Sequence, residues 1–200
     1  MNILAVDATG EVLSVALGAG GEIFAARRSG KRPHDETLLP AVEGVLRRAR
    51  MSWDDLDAVA AAAGPGRFTG IRIGLSFAAI LGMKLKIPAL ALSRLEAAAG
   101  KSGAEDVLAA LPGWKNEVYH QRFRRKGSDL AADGGAEWTG PEDWPKVRAA
   151  AEARGLAVAY GDVDAADLLP VARRRLKSEK FPPFEPFYLK PAGYEKKPVR

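Results

Sequence analysis

Cysteine is absent from the 200-residue sequence, and histidine occurs only twice. Without cysteine the chain can form neither a disulfide framework nor a thiolate metal site. His34 and His120 are far apart and fit neither His-x-x-His nor His-Glu-x-x-His spacing. The sequence therefore predicts no zinc site and no other metal site.

Long apolar runs are also missing from the sequence. No run approaches the roughly twenty residues that a membrane helix requires, and no signal peptide precedes the first predicted strand, which begins at Ile3. We therefore expect a soluble, cytoplasmic protein without membrane contact. The length suits one large domain or two small lobes, with enough apolar residues to bury a core.

The net charge of +5 is concentrated near the carboxyl end. Residues 171–200 hold nine of the 30 lysines and arginines but only three of the 25 acidic residues. Such a segment can attract RNA or an acidic partner. A solvated surface tail would have the same composition, so the sequence leaves both interpretations open.

Strand and helix patterns alternate along the first hundred residues. Residues 3–28 are typical of three strands joined by turns. After Pro33, apolar residues recur at three- and four-residue spacing and predict a helix. The run "LDAVAAAAG" is too rich in alanine to separate helix from strand by propensity, but the Gly-Pro-Gly at its end favours a buried strand. A second helix is predicted over residues 69–83.

The opening pattern returns about a hundred residues later. "ILAVD–ATG–EVLSVAL" and "VLAAL–PGWKN–EVYHQRF" have the same order of strand, turn and strand. This repeat predicts an α/β fold of two similar lobes, each built from a duplicated βββαβα unit. We expect the first lobe over residues 1–102, a shorter second lobe over 103–178, and an extended Pro- and Lys-rich tail over 179–200.

The loop from Gly64 to Gly70 resembles a phosphate-binding loop without matching a known motif. Its last glycine comes too late for G-x-G-x-x-G, no Gly-Lys-Ser/Thr follows, and Phe68 occupies the centre of G-x-S-x-G. Thr69 is a candidate N-cap for the second helix, and such a helix start can hold an anion, with Arg67 or Arg72 adding charge. A strand-to-helix turn without a ligand explains the same residues.

Both predicted helices carry a stripe suited to close packing. Small residues recur every four positions along the second helix, and apolar residues flank them. These stripes either cover the sheet or pack against a helix pair of another chain. The candidate partner-facing residues are Leu38, Leu39, Val42, Val45, Leu46, Gly70, Ile71, Gly74, Leu75 and Ala78.

Taken together, "ILAVDATGEVLSVAL", "HDETLLP", "AAAGPGRFTGIRIGLSFA", "VLAALPGWKNEVYHQRF" and "EPFYLKP" resemble the TsaB family, also called YeaZ and long labelled glycoprotease-like. The resemblance spans nearly the whole chain. It implies an actin-like, sugar-kinase-like ATPase fold, related to ribonuclease H. It also implies a role in forming the threonylcarbamoyl group on adenosine 37 of tRNAs that read codons starting with adenine.

The partners implied by the resemblance are the catalytic subunit TsaD, as a heterodimer, and the ATPase TsaE, which joins with ATP. Within that assembly the chain would be a non-catalytic scaffold or activator that reaches tRNA through the complex. The candidate partner-facing residues then form the interface with TsaD, although a homodimer of the chain alone stays open. No cofactor is required, and ATP or ADP could lie at the complex interface.

The residues themselves argue against catalysis. TsaD relatives bind metal through a histidine pair on the helix equivalent to residues 34–49, but here Leu38 stands four positions after His34, which we expect to form only local hydrogen bonds. Phosphoryl transfer in this fold needs acidic residues in both hairpin loops to hold magnesium. The first loop keeps Asp7, whereas the second has no carboxylate until Glu117.

Three departures from the family pattern weaken nucleotide binding further. The first loop reads Asp-Ala-Thr-Gly, Arg67 stands where a small residue is usual, and Pro112-Gly113 replaces an Asp-Ala-like pair. A vestigial phosphate loop would consist of Asp7, Thr9, Gly64, Gly66, Thr69 and Gly70.

Alternative functions remain at this point. An ATPase or small-molecule kinase of the same fold would need magnesium-dependent turnover through Asp7. A peptidase would need a nucleophile, and the sequence offers no cysteine, zinc motif or serine elbow. The basic tail, with aromatic residues interleaved, could contact tRNA. Alternatively, Phe187 and Tyr188 anchor it on the body and leave Lys196, Lys197 and Arg200 free.

Overall fold

A computed structural model describes residues 1–30, 32–127, 129–178, 181 and 183–189 of the chain. The first half contains β1 (Ile3–Asp7), β2 (Leu13–Ala19), β3 (Glu22–Arg28), α1 (His34–Ala49), a 3₁₀ turn (Trp53–Asp55), β4 (Ala58–Gly64), α2 (Phe68–Leu85), β5 (Ala89–Ser93) and α3 (Arg94–Ser102). The second half contains β6 (Asp106–Pro112), a 3₁₀ turn (Trp114–Asn116), β7 (Val118–Lys126), β8 (Asp129–Ala132), β9 (Glu137–Thr139), α4 (Trp144–Ala153), β10 (Ala157–Tyr160) and α5 (Ala165–Ser178).

Two mixed sheets share one topology. The first has the strand order β3-β2-β1-β4-β5, and the second has β8-β7-β6-β10, with β9 also paired to β7. In each sheet a hairpin (β1–β2 or β6–β7) is antiparallel, and the first hairpin strand pairs in parallel with a later strand (β4 or β10). The predicted duplication is therefore present. We call the first sheet with α1 and α2 the first lobe, and the second sheet with α4 the second lobe.

The core lies in layers on both faces of the first sheet. Ile3 and Ala5 point to one face and Leu4 and Val6 to the other, and all four are buried. On one side the sheet is covered by α1 and α2. On the other side α3 and α5 fill the space between the two sheets. Because both faces are covered, β1 and β4 are apolar without alternation, as the alanine-rich β4 shows.

The stripes of α1 and α2 face the first sheet of the same chain. Leu38, Val42, Val45 and Leu46 of α1 are buried in the core cluster on that sheet, and Gly70, Ile71, Gly74, Leu75 and Ala78 of α2 are buried as well. An added Cβ on Gly74 would lie 3.8 Å from the Ala61 Cβ, and one on Gly82 would lie 2.9 Å from the Ala89 Cβ. The small residues thus let α2 approach its own sheet. The prediction that these nine residues face a partner is corrected, and of the ten only Leu39, which is 49% exposed, lies on the outer side.

The start of α2 also differs from its prediction. Its N-cap is Arg67, which makes no side-chain capping bond, and Thr69 is an exposed residue of the first turn. The predicted Thr69 cap is therefore wrong. The reason is a tertiary contact, since the Arg67 N–H donates to the Thr9 carbonyl oxygen at 2.7 Å and fixes where the chain turns. Arg154 is the C-cap of α4, and Gly155 follows it with a φ of 77°.

By length and composition α2 could cross a membrane, contrary to the sequence-based expectation that no run comes close. Its 18 residues have a mean hydropathy of 1.4. In the structure its glycine and alanine stripe lies on the sheet, where Ala61 of β4 and Ala89 of β5 leave no room for larger side chains at Gly74 and Gly82. This packing explains the buried 39% of the helix, whereas the apolar residues Ile80 and Met83 are exposed.

Part of the segment after α5 returns to the first lobe. The Phe187 N–H donates to the Ala63 carbonyl oxygen at 2.7 Å. The Tyr188 ring stacks on Phe68, with 4.7 Å between ring centroids, and the Arg72 Nε donates to the Tyr188 hydroxyl at 3.3 Å. Phe187 and Tyr188 are thus anchors, as expected. Lys196, Lys197 and Arg200 lie outside the described residues.

Candidate functional site

The candidate site lies where the first hairpin loop meets the glycine loop. Asp7 ends β1 and is buried. Its Oδ1 accepts hydrogen bonds from the Thr9 N–H at 2.8 Å and from the Thr9 hydroxyl at 2.6 Å. Asp7 and Thr9 therefore lie together, and the Thr9 hydroxyl donates its hydrogen bond to the carboxylate rather than to a ligand.

The glycines of the loop allow contact with the chain's own backbone. A Cβ on Gly66 would lie 2.8 Å from the Thr9 carbonyl oxygen, and one on Gly70 would lie 1.9 Å from the Ala8 carbonyl oxygen. Gly64 has a φ of 119°, and a Cβ there would lie 2.6 Å from the Phe187 carbonyl oxygen. These distances explain why glycine is needed at each position. The glycines, which suggested close approach to a phosphate, instead approach the first hairpin loop and the segment after α5.

His34, the first residue of α1, supports the same hairpin loop. Its Nδ1 lies 3.0 Å from the Ala8 carbonyl oxygen and its Nε2 lies 3.2 Å from the Glu11 carbonyl oxygen. The expectation of purely local hydrogen bonds is therefore wrong, because both partners belong to another segment. Because both ring nitrogens of His34 lie within hydrogen-bond distance of carbonyl oxygens, its role is to hold the loop in place. This arrangement does not support the peptidase alternative.

Arg94, which sequence reasoning missed, is the central charge of the site. It is only 4% exposed. Its Nε donates to Asp7 Oδ2 at 2.9 Å, its Nη1 donates to the Pro65 carbonyl oxygen at 3.1 Å, and its Nη2 donates to Asp162 Oδ1 and to the Val163 carbonyl oxygen. One sequence signal could have indicated this role. Arg94 directly follows the N-cap Ser93, and a cation is disfavoured at a helix N-terminus unless other groups pair with it.

The second hairpin loop adds no carboxylate beside Asp7. Residues 112–116 form a tight turn in which the Gly113 N–H donates to the Glu117 carbonyl oxygen at 2.6 Å. Lys115 and Asn116 adopt positive φ values of 55° and 62°, and Trp114 is 65% exposed. Within the described part of the chain, no group of three or more histidine or acidic residues could hold a metal ion.

A cavity of about 400 Å³ lies between the two hairpin loops. Its charged lining groups are Glu11, Arg67, Arg94 and Asp162, so cationic and anionic groups are equal in number. Arg67 is directed at Glu11, 3.4 Å away, rather than at the centre of the cavity. Tyr119 also lines it, and burial together with the charge of Glu117 raises the pKa of this phenol. The cavity has room for a small ligand but no excess of positive charge to attract phosphate.

Comparison with known proteins identifies the family of the chain. The chain is 32% identical over 201 residues to the tRNA threonylcarbamoyladenosine biosynthesis protein TsaB of Escherichia coli (strain K12), and the match covers 86% of each chain. The chain belongs to the TsaB family. A family model described as TsaD, tRNA N6-adenosine threonylcarbamoyltransferase, matches residues 28–189. A protein with the TsaB name from Bacillus subtilis (strain 168) is 37% identical over 133 residues, which is 65% of this chain and 58% of the relative.

Solved structures agree with the fold. YeaZ from Pseudomonas aeruginosa has a TM-score of 0.74 and 26% sequence identity to this chain. A second structure, described as an uncharacterized protein with similarity to peptidase YEAZ from Pseudomonas aeruginosa, has a TM-score of 0.77 and 27% identity. Each covers 94% of this chain and 99% of the solved one. The fold is thus the actin-like, ribonuclease H-like ATPase fold that the sequence motifs implied.

Proposed function

We propose that the chain acts in tRNA threonylcarbamoyladenosine biosynthesis as a non-catalytic partner of the TsaD subunit. The observation that carries this proposal is the 32% identity to the Escherichia coli TsaB along 86% of both chains. The proposed product is the threonylcarbamoyl group on adenosine 37 of tRNAs that read codons starting with adenine. The work of the chain would be to bind and activate TsaD in the cytoplasm.

The site geometry supports a non-catalytic role. Asp7 ends β1 beside the first hairpin loop, and its two oxygens already accept three hydrogen bonds from Thr9 and Arg94. The Arg94 cation, 2.9 Å from Asp7 Oδ2, balances the charge of this carboxylate and would repel a magnesium ion beside it. We therefore propose that the chain requires no cofactor, and that any ATP or ADP binds at the interface of the complex.

The outer side of α1 and α2 is the surface we assign to TsaD. Leu39, Ile80 and Met83 are 49%, 67% and 80% exposed, and Ile73 and Phe77 are half-buried. We call these five residues the outer apolar face. Ile73, Phe77 and Ile80 follow one another at four- and three-residue spacing, which places them on one side of α2. Phe184, Pro186 and Tyr188 line another side of the helix, beside Arg72, Ser76 and Ala79, so the outer apolar face is left for a partner.

Exposed apolar helix faces of this kind mark protein interfaces. The same face could pair two copies of the chain when TsaD is absent. In the larger assembly we expect TsaE to join with ATP, and tRNA to be held by the complex as a whole.

The test is size-exclusion chromatography with light scattering on the chain, on TsaD from the same host, and on their mixture. We expect a one-to-one heterodimer that forms at the expense of any homodimer. The variant Ile80→Glu should abolish this complex while the circular dichroism spectrum of the isolated chain stays unchanged. Normal pairing of Ile80→Glu would show that the outer apolar face is not the interface.

The matched control is Ile23→Glu, which puts the same charge at a 53% exposed isoleucine on β3. Ile23 alternates with Phe24 and therefore points away from α1. This variant should pair like the natural chain. The ATPase alternative is tested by an ATP-hydrolysis assay with magnesium on the isolated chain. It predicts turnover by the natural chain that is lost in Asp7→Ala.

A further inference from the structure

Four oxygen atoms from three separate segments surround the guanidinium group of Arg94. Asp7 belongs to β1 of the first lobe, Pro65 belongs to the glycine loop, and Asp162 and Val163 follow β10 of the second lobe. The set consists of two carboxylate and two carbonyl oxygens. Such oxygen ligands are those that hard divalent cations, Mg²⁺ and Ca²⁺, prefer in proteins.

We propose that Arg94 is a built-in cation that takes the place of a divalent metal ion between the lobes and fastens them together. The chain itself then supplies the positive charge that balances Asp7 and Asp162. The arrangement of the two lobes would consequently depend on neither a metal ion nor a nucleotide.

The position of Arg94 in α3 supports this role. It is the first residue of the helix, where the macrodipole disfavours a cation. Its side chain is also buried, which costs free energy unless the charge is paired and hydrogen-bonded. Both costs are offset here because four of its five N–H groups have oxygen partners.

The residues around the cleft do not fit a magnesium–nucleotide complex. Asp7 Oδ1 accepts twice from Thr9, and Asp7 Oδ2 accepts from Arg94, whose positive charge lies where it would repel a metal ion bound to this carboxylate. The second hairpin loop offers Pro112 and Gly113 at the position facing it, and neither has a side-chain ligand. We therefore assign no catalytic step to a metal or nucleotide in this chain.

Substitution of Asp162 tests the connection between the lobes without changing a core residue. Its side chain is 59% exposed, whereas those of Arg94 and Asp7 are 5% and 3% exposed. Removing its charge should weaken its bond to Arg94 and the bond that its Oδ1 accepts from the Val163 N–H at 3.0 Å. The Arg94 side chain would keep its contacts with Asp7 and Pro65 in the first lobe.

The first experiment measures the thermal midpoint Tm of the natural chain and of Arg94→Ala in 5 mM EDTA, MgCl₂ or CaCl₂. The Tm of the natural chain should be the same in all three. Arg94→Ala should lose about 5–15 °C in EDTA, because the buried Asp7 and the partly exposed Asp162 both lose their cation, and should regain part of this loss in either metal. A metal-dependent Tm of the natural chain, or an Arg94→Ala variant that no metal stabilises, would overturn the proposal.

Arg67→Ala is the matched control, since Arg67 lines the same cavity but is 53% exposed and, among the described residues, forms a salt bridge only with Glu11. Its Tm should stay within about 2 °C of the natural value in all three solutions. If Arg94→Ala does not fold, Asp162→Asn gives the answer by hydrogen exchange. We expect faster exchange of the Gly161 amide, which donates to the Ala110 carbonyl oxygen, in this variant, and unchanged exchange there would contradict the fastening of the lobes; the Val163 amide is left out because it bonds Asp162 Oδ1 itself.

Discussion

Gly70 lies so close to Ala8 that a methyl group on its Cα would fall 1.9 Å from the Ala8 carbonyl oxygen. The same carbonyl is 3.0 Å from His34 Nδ1. The first turn of α2, the first residue of α1 and the first hairpin loop therefore meet at one point. The glycine loop serves to bring helix and hairpin into backbone contact.

Replacing Gly70 with alanine should destabilise the chain strongly. The added methyl would collide with a backbone oxygen, and neither the β1 strand nor α2 can move without disturbing the core. We expect the free energy of unfolding to fall by about 2–4 kcal/mol, measured by urea denaturation. Gly44→Ala is the control, because Gly44 lies inside α1 with no atom within 4 Å of an added Cβ. Alanine should raise stability there by about 0.5–1 kcal/mol.

Local patterns predicted the elements of the fold well. The strand and helix order along both lobes follows from apolar periodicity and turn residues, and the repeat of the hairpin unit gave the duplication. Buried β4 was predicted from the Gly-Pro-Gly that ends it, although its alanines carry no strand preference. These signals are local, so the sequence displays them directly.

Contacts between distant residues could not be predicted in the same way. Arg94 meets Asp7 and Asp162, which are far from it in sequence, and only the unusual arginine at a helix start hinted at partners. The faces of α1 and α2 were assigned to a partner because an amphipathic helix does not reveal what covers its apolar side. Val42, for example, was assigned to a partner but is completely buried against the first sheet of the same chain.

A charged residue should destabilise the chain on the buried side of α1 but not on the exposed side. Val42→Glu would bury a carboxylate without a partner and should lower the free energy of unfolding by at least about 3–5 kcal/mol. Leu39→Glu changes a residue that is 49% exposed three positions earlier and should stay within about 0.5 kcal/mol of the natural chain. Urea denaturation of the isolated chains distinguishes the two. Equal stabilities would contradict the core position of Val42.

Phe187 should contribute to stability even though it lies beyond the last helix. It is half-buried, packs against the apolar clusters on both faces of the first sheet, and continues into the Tyr188 ring stacked on Phe68. Phe187→Ala should lower the free energy of unfolding by about 1–3 kcal/mol, below the cost at a fully buried phenylalanine. Phe184→Ala, at a side chain that is 40% exposed, should change it by no more than about 0.5 kcal/mol. If both variants match the natural chain, the segment does not anchor the tail in solution.

His120 should make stability depend on pH just below neutrality. Burial lowers its pKa from the ordinary value of 6.5, more strongly than the nearby Glu137 raises it. Its Nε2 lies 2.6 Å from the Thr139 hydroxyl oxygen, and its ring lies 5.9 Å from that of Trp144.

Since the folded chain binds this proton less readily than the unfolded chain, stability is fully present above pH 6.5 and falls as the pH drops through 6.5 toward the lower folded pKa. The slope from one proton is at most about 1.4 kcal/mol per pH unit. Urea denaturation between pH 7.5 and pH 6 should therefore show a decline that is weaker in His120→Gln, in which the amide can still bond Thr139 but does not titrate. His34 is present in both chains and cancels in the comparison, so identical pH profiles would mean that the buried imidazole is not the source of the decline.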